Sequence, residues 1–285
     1  MNRLGKALIS GRVIKTAQCL PPAGADPADF KALADTLPTE LDAVIVADNP
    51  DRIRGSAFSA AAMLCRETQA SVILSMSTRD RNRIALMSDA LGAAALNVEG
   101  ILCVSGNHQS MDICPEAAAA NDIDSVQFVQ AMKKLVLHGT GLNGRQMEPE
   151  LKLQVGAAAH PYMRPMELNL LCHKKKISVG ADFLITQAVF DLEGFREWMD
   201  AVCALDLDKR TAIIPSVLPL TSAERARELQ QSRACGPIGD AVIARLRNSA
   251  DAAKEGIAIA AEMAAKLKGI PGVRGINILS GGQGK

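Results

Sequence analysis

Short apolar runs recur along this chain at residues 13–19, 43–47, 71–76, 100–104, 153–158, 183–186, 212–215 and 275–279. They are rich in Val, Ile, Leu and Ala and alternate little with polar residues. Continuous runs of this kind mark strands buried on both faces, as in a parallel sheet. Between most of them the period becomes helical. Ile84, Met87, Leu91 and Ala94 form one stripe, with Ser77 or Thr78 as the expected N-cap. Ile257, Ala260, Ala264 and Leu267 form another after Asn248-Ser249, and Gly269 and Pro271 end it. Residues 105–124 and 137–151 are longer polar stretches, expected as loops near a site.

Strict alternation of strand and helix implies a parallel sheet. Eight repeats in 285 residues predict an α/β chain folded as a single (β/α)8 TIM barrel, with residues 1–285 as one domain. An open doubly wound sheet is the alternative. It usually carries a G-x-G-x-x-G turn after an early strand, and none is present. Gly281-Gly282-Gln283-Gly284 lies at the C-terminus with no helix after it.

Composition narrows the function. The chain has 32 basic and 31 acidic residues, a balance that points to neither nucleic acid nor a membrane surface. One Trp and one Tyr are too few for a base-stacking platform. The seven cysteines are odd in number and contain no C-x-x-C pair, which argues against a disulfide framework or a zinc site. The N-terminus lacks a long apolar signal core, and no run reaches the ~18 apolar residues of a membrane span. A cytoplasmic protein is expected, with no bound metal.

In a barrel the active site lies at the C-terminal strand ends. Gln18, Pro21 and Pro22 follow the first run; Asp48, Asn49 and Pro50 the second; Ser77 to Asp80 the third. Gly106, Asn107, His108 and Gln109 follow the fourth, His160, Pro161 and Tyr162 the fifth, Gln187 the sixth and Pro219 the seventh. Polar groups at so many ends predict a mouth that binds a polar small molecule. Each also has a plainer reading. The prolines punctuate loops. Asp48 serves either as a turn or cap residue or as a ligand contact. His108 and His160 lack metal-ligand spacing and read as hydrogen-bonded loop histidines. Lys174-Lys175-Lys176 reads as a solvated face, but Asn169, His173 and Lys176 share one helical stripe that could face the mouth. Gly281-Gly282 is either a backbone phosphate site or a tail.

Several segments resemble the methylenetetrahydrofolate reductases, especially their short single-domain bacterial form. They are Ala17 to Pro22, Asp48-Asn49-Pro50 with Arg52 to Ser56, and Leu102 to Gln109. Val155 to Pro161, then Lys174 to Lys176 and Gly180 to Gln187, form the strongest block, and Pro215 to Leu220 completes an ordered series. The resemblance implies an oxidoreductase of one-carbon metabolism that binds FAD, or FMN, across the strand ends. It implies flavin-dependent reduction of 5,10-methylenetetrahydrofolate to 5-methyltetrahydrofolate. Electrons would come from NAD(P)H or a companion protein, in a homo- or hetero-oligomer. Carried over by residue, Gln187, Asn107 and Gln18 would contact the tetrahydrofolate-type substrate, with Gln18 and Asn107 at catalytic positions. Ser75, Ser105, Gly106, His108, His160, Tyr162, Asn169 and Lys176 would line the cofactor.

Three positions depart from the family. Gln18, Asn107 and Asn169 are amides where it usually has Glu, Asp and Asp. An amide keeps the shape of an acid but does not act as a proton donor for ring opening, and general acid catalysis is worth ~10²–10⁴ in rate. Cys19, beside Gln18, is either a substitute acid or a core residue. The departures leave two further readings open: a flavin- or folate-binding subunit of an electron-transfer complex without reductase chemistry, and a tetrahydrofolate-dependent methyltransferase.

Overall fold

All eight apolar runs form strands of one closed barrel, paired in parallel in the order β1 to β8, with β8 closing on β1. The computed structural model describes residues 3–38, 40–107, 114–147, 151–232 and 235–280. The strands are β1 (Ile14–Cys19), β2 (Ala43–Val46), β3 (Ser71–Ser77), β4 (Gly100–Val104), β5 (Gln154–Ala159), β6 (Phe183–Ala188), β7 (Ala212–Val217) and β8 (Gly275–Ile278). β6 and β7 run two residues beyond their expected ends, so Gln187 lies within a strand.

The helices are α1 (Arg3–Ile9), α2 (Pro27–Ala32), α3 (Ala57–Glu67), α4 (Arg83–Ala95), α5 (Ser125–His138), α6 (Met166–Ser178), α7 (Leu192–Ala204), α8 (Ala223–Ser232), α9 (Asp240–Asn248) and α10 (Ala252–Lys268). A short 3₁₀ turn, Ala34–Thr36, precedes β2.

Strand alternation divides the apolar residues into two layers. Ile14, Ala43, Ile45, Ile73, Leu102, Phe183, Ile185, Ala212 and Ile214 fill the barrel interior, and Leu4 and Ala7 of α1 join them. Phe183 occupies the space a side chain at position 156 would take: a Cβ on Gly156 would lie 2.2 Å from its ring. The opposite strand faces, with Ala17, Val44, Val72, Ile101, Val155 and Leu184, pack against the helices. A third cluster joins α8, α9 and α10 over the loop after β7, around Leu220, Ala226, Ile243 and Ile259.

Four local expectations are corrected. The N-cap of α4 is Asn82, whose side chain accepts from the N–H groups of Ile84 and Ala85, because Ser77 remains in β3. Its core stripe is Leu86, Met87, Ala90 and Ala93, whereas Ile84 is 73% exposed. In α10 the buried side is Ile259, Ala260 and Leu267, capped by Asp251, and Ile257 faces solvent. The stretch after α5 precedes β5 and so lies at the N-terminal end of the barrel, away from the strand-end mouth.

Candidate functional site at the strand-end mouth

On β1, Ile14 belongs to the interior layer, so alternation turns Thr16 and Gln18 inward while Ala17 and Cys19 pack outward. Gln18 is half-buried at the top of the strand. A cavity of about 570 Å³ runs from it past Pro21, Pro22 and Arg54 to Leu279. That volume suits a drug-sized ligand. Cys19 is a core residue, and burial raises its thiol pKa to about 12. Its outward packing on β1 favours the core reading over that of a substitute acid. All seven cysteines are free.

Arginines hold the corner formed by β2, β3 and β4, and one of them, Arg81, lies outside the strand-end residues singled out from the sequence. Asp48 accepts from the Ser77 backbone N–H at 3.0 Å and pairs with Arg81, which also binds Asp89 of α4 at 2.9 Å. The Asp48 carboxylate thus ties the end of β2 to β3 and to the approach of α4. Arg79 makes a two-point contact with Asp80 and donates to the backbone carbonyls of Asn107 at 3.2 Å and Asn49 at 3.4 Å. Arg54 pairs with Asp51 and donates to the Pro21 carbonyl. The signal in the sequence was the Arg79-Asp80-Arg81 run directly after a strand.

Asn107 is exposed at the rim, its backbone fixed by Arg79. Gly106 precedes it with φ +77°, and a Cβ there would come within 2.4 Å of the Ser77 hydroxyl. Only glycine suits that conformation and that approach. Ser105 is exposed on the same loop and its carbonyl accepts from Ser77. Ser75 is buried on β3, two residues beyond Ile73 on the inward face. His108 and Gln109 lie outside the described residues, as does Gly281-Gly282.

The opposite side is built by β5, β6 and α6. The His160 ring nitrogen Nδ1 is 3.2 Å from Gln187 Oε1, which joins the ends of the two strands. The ring opens toward solvent, but crowding by protein on its other sides lowers its pKa, and the Lys176 charge adds to this. The His160 backbone N–H donates to His173 Nε2 at 3.2 Å. His173 is buried, set edge-on to Trp198 with ring centroids 5.4 Å apart, and its Nδ1 has no hydrogen-bond partner. Burial first, then Lys176, lowers the His173 pKa to about 3. Lys176 is also buried, and its Nζ donates to the Ala158 carbonyl at 2.7 Å. Burial lowers its pKa, and no ion pair to it is found among the described residues. A buried cation beside two histidines with depressed pKa values, with no acid in contact among the described residues, favours an anionic or electron-rich ligand.

The stripe of Asn169, His173 and Lys176 thus exists, but Asn169 does not face the mouth. It is 0% exposed, and its Nδ2 lies 2.9, 3.2 and 2.8 Å from the carbonyls of His160, Pro161 and Met163. Its Oδ1 accepts from Trp198 Nε1 at 3.2 Å. It clamps the loop that carries His160. Tyr162 is pinned to the same region: its hydroxyl donates to the Asp191 carbonyl at 2.6 Å, and its ring packs on Gly194 and Gly236. Lys174 and Lys175 are exposed, as a solvated face requires.

Comparison with known proteins gives a consistent picture. Residues 41–278 match the sequence model of the family described as methylenetetrahydrofolate reductase. A 74-residue stretch is 35% identical to methylenetetrahydrofolate reductase 2 of Saccharomyces cerevisiae, covering 24% of this chain and 12% of that protein. A 69-residue stretch is 32% identical to 5,10-methylenetetrahydrofolate reductase of Escherichia coli K12, covering 24% of this chain and 23% of that protein. Among solved structures, a Clostridium thermocellum protein that binds two copies of 5-methyl-5,6,7,8-tetrahydrofolic acid superposes with a TM-score of 0.68. It is 15% identical, over 97% of this chain and 93% of that one, and the likeness is one of fold.

Proposed function

The chain belongs to the methylenetetrahydrofolate reductase family, and from that premise we propose that it reduces 5,10-methylenetetrahydrofolate to 5-methyltetrahydrofolate with a bound flavin. The observation that carries this reading is the Lys176 ammonium, buried beside the mouth with one carbonyl partner and no acid in contact among the described residues. Such a cation suits the electron-rich parts of a flavin. With it, His160 and Tyr162 on the same side and Ser75, Ser105 and Gly106 on the β3–β4 side would line the cofactor, with FAD the expected form. When bound, the flavin would supply the hydride.

The protein's own groups would do the rest. Gln187, braced by His160, presents its amide N–H groups to a pterin edge. Asn107 offers one acceptor and two donor hydrogens on the opposite rim. Gln18 holds the substrate by hydrogen bonding and leaves the proton for ring opening to water or another donor. Asn169 acts through the loop it clamps. Reduction is therefore expected to be slow, limited by protonation.

The test is direct. Purified protein is loaded with FAD or FMN and assayed for 5-methyltetrahydrofolate formation with NADH, NADPH or a reduced dye as donor. The expected result is a yellow protein that turns over slowly. A protein that takes up no flavin would overturn the proposal. The neutral amides at Gln18 and Asn107 favour one second reading, a flavin- or folate-binding subunit that does not itself catalyse the reduction. Flavin and folate binding without turnover under any donor would establish that reading instead.

A further inference from the structure

The β6–β7 ladder contains a break that lies next to the site. Ile185 pairs with Ile214 and Ala188 with Ser216, so Thr186 and Gln187 together face the single residue Pro215. Proline brings no N–H to a ladder, and a two-against-one bulge is the expected outcome. Side chains close the gap. The Ser216 backbone N–H donates to Thr186 Oγ1 at 3.1 Å, and the Ser216 hydroxyl donates to the Thr186 carbonyl at 2.6 Å. The Thr186 hydroxyl donates to the Gln187 carbonyl at 2.7 Å.

The chain of bonds continues around the barrel. Asn277 of β8 donates from Nδ2 to Ser216 Oγ at 3.0 Å, and Thr16 of β1 donates from Oγ1 to Asn277 Oδ1 at 2.9 Å. All the donors point one way, from β1 through β8 and β7 to β6, an arrangement in which successive bonds polarise one another. The four side chains are at most 3% exposed. Branched apolar residues usually fill such a layer. Here one end of the network is two residues before Gln18, and the other is the residue before Gln187.

We propose that Thr16, Asn277, Ser216 and Thr186 are positioning residues: they fix the bulge opposite Pro215, aim Gln187 into the mouth, and hold it at a set distance from Gln18. The two amides then clamp one planar hydrogen-bonding ligand from opposite sides. The identity of that ligand as a reduced folate rests on the function proposed above.

The test compares Thr186→Val, which keeps the side-chain shape but removes the hydroxyl, with Thr186→Ser, which restores it. Titration calorimetry with 5-methyltetrahydrofolate as the probe is expected to show binding about tenfold weaker in Thr186→Val, the worth of roughly one hydrogen bond, and nearly unchanged in Thr186→Ser. Leu64→Ala, a core change in α3, lowers stability and is expected to leave the affinity alone, which separates aim from general weakening. Unchanged binding in Thr186→Val, with weakened binding in Gln187→Ala, overturns the positioning role and keeps the folate reading. Absence of binding in the wild type overturns the folate reading. The positioning role is then decided without ligand, from the His160 ring signals in NMR, which report the contact with Gln187. A shift in Thr186→Val but not in Thr186→Ser supports the network, and no shift in either overturns it.

Discussion

Asn169 shows how an amide can be the better residue at a position where the family resemblance implies an acid. Three carbonyl oxygens surround its Nδ2, and only an N–H donor suits that setting. Asn169→Asp would turn a carboxylate oxygen toward them with no compensating donor. A loss of about 2–4 kcal/mol in urea-unfolding stability is expected, from the unmade bonds and the buried charge. Stability equal to wild type would mean that the loop rearranges. Gln18 differs, because it sits half-buried at the mouth and its missing proton bears on chemistry. If protonation limits turnover, Gln18→Glu raises methylenetetrahydrofolate reduction at least tenfold, a floor set one decade below the ~10²–10⁴ worth of a general acid. An unchanged rate, with flavin and folate still bound, would place the proton source elsewhere. The alternation of β1 made the inward aim of Gln18 legible in the sequence. No spacing rule reported the carbonyls around Asn169, because they come from a loop that folds back on α6.

At the level of elements, α6 is the most informative. Its sequence gave the stripe of Asn169, His173 and Lys176, but packing against β5 and α7 decided that the stripe is buried. This has a consequence for pH. His173 is held neutral in the fold, with a pKa of about 3, whereas unfolding returns it to about 6.5. Between those values the unfolded chain binds the extra proton, so stability falls as the pH drops below about 6.5 and the loss levels off near 3. At pH 5 this amounts to about 2 kcal/mol. His173→Gln keeps an acceptor for the His160 N–H and is expected to flatten the urea-unfolding profile between pH 7 and 5. A slope equal to wild type would assign the dependence to other groups. In α4 the helix was legible but its cap was not, because β3 extends through Ser77 and the helix begins only at Arg83, which makes Asn82 the N-cap. In β6 the bulge was not legible from β6 itself; the proline that causes it lies on β7.

At the scale of the molecule, closure of β8 on β1 leaves no sheet edge among the described strands. At the N-terminal end Arg12 and Arg3 pair with the buried Asp42, whose carboxyl also accepts from the Lys15 N–H. One continuous outer core runs from Ala17 to Ile276. We therefore expect one cooperative unit: urea transitions followed by Trp198 fluorescence, which reports the α6–α7 side, and by far-ultraviolet circular dichroism will coincide. Separate midpoints would divide the chain into independently folding parts. No described helix is long and apolar enough to cross a membrane.

The sequence by itself determined the eight strands, their parallel pairing and the end of the barrel where the polar residues gather. Period and order are local properties that survive without a third dimension. It also carried the family likeness and the amides at Gln18, Asn107 and Asn169. Tertiary structure alone decided what those amides touch. Asn169 became a clamp because a loop returns over it, and the Asn107 backbone is held by Arg79 from the loop after β3. In the proposed arrangement, Gln187 is aimed by a proline on the next strand and a chain of bonds that runs across β7 and β8 to Thr16 on β1. The Asn169 clamp reaches carbonyls only a few residues away, set by the turn of the loop, whereas the other contacts join residues far apart in the chain, and only the folded geometry brings them within hydrogen-bond reach.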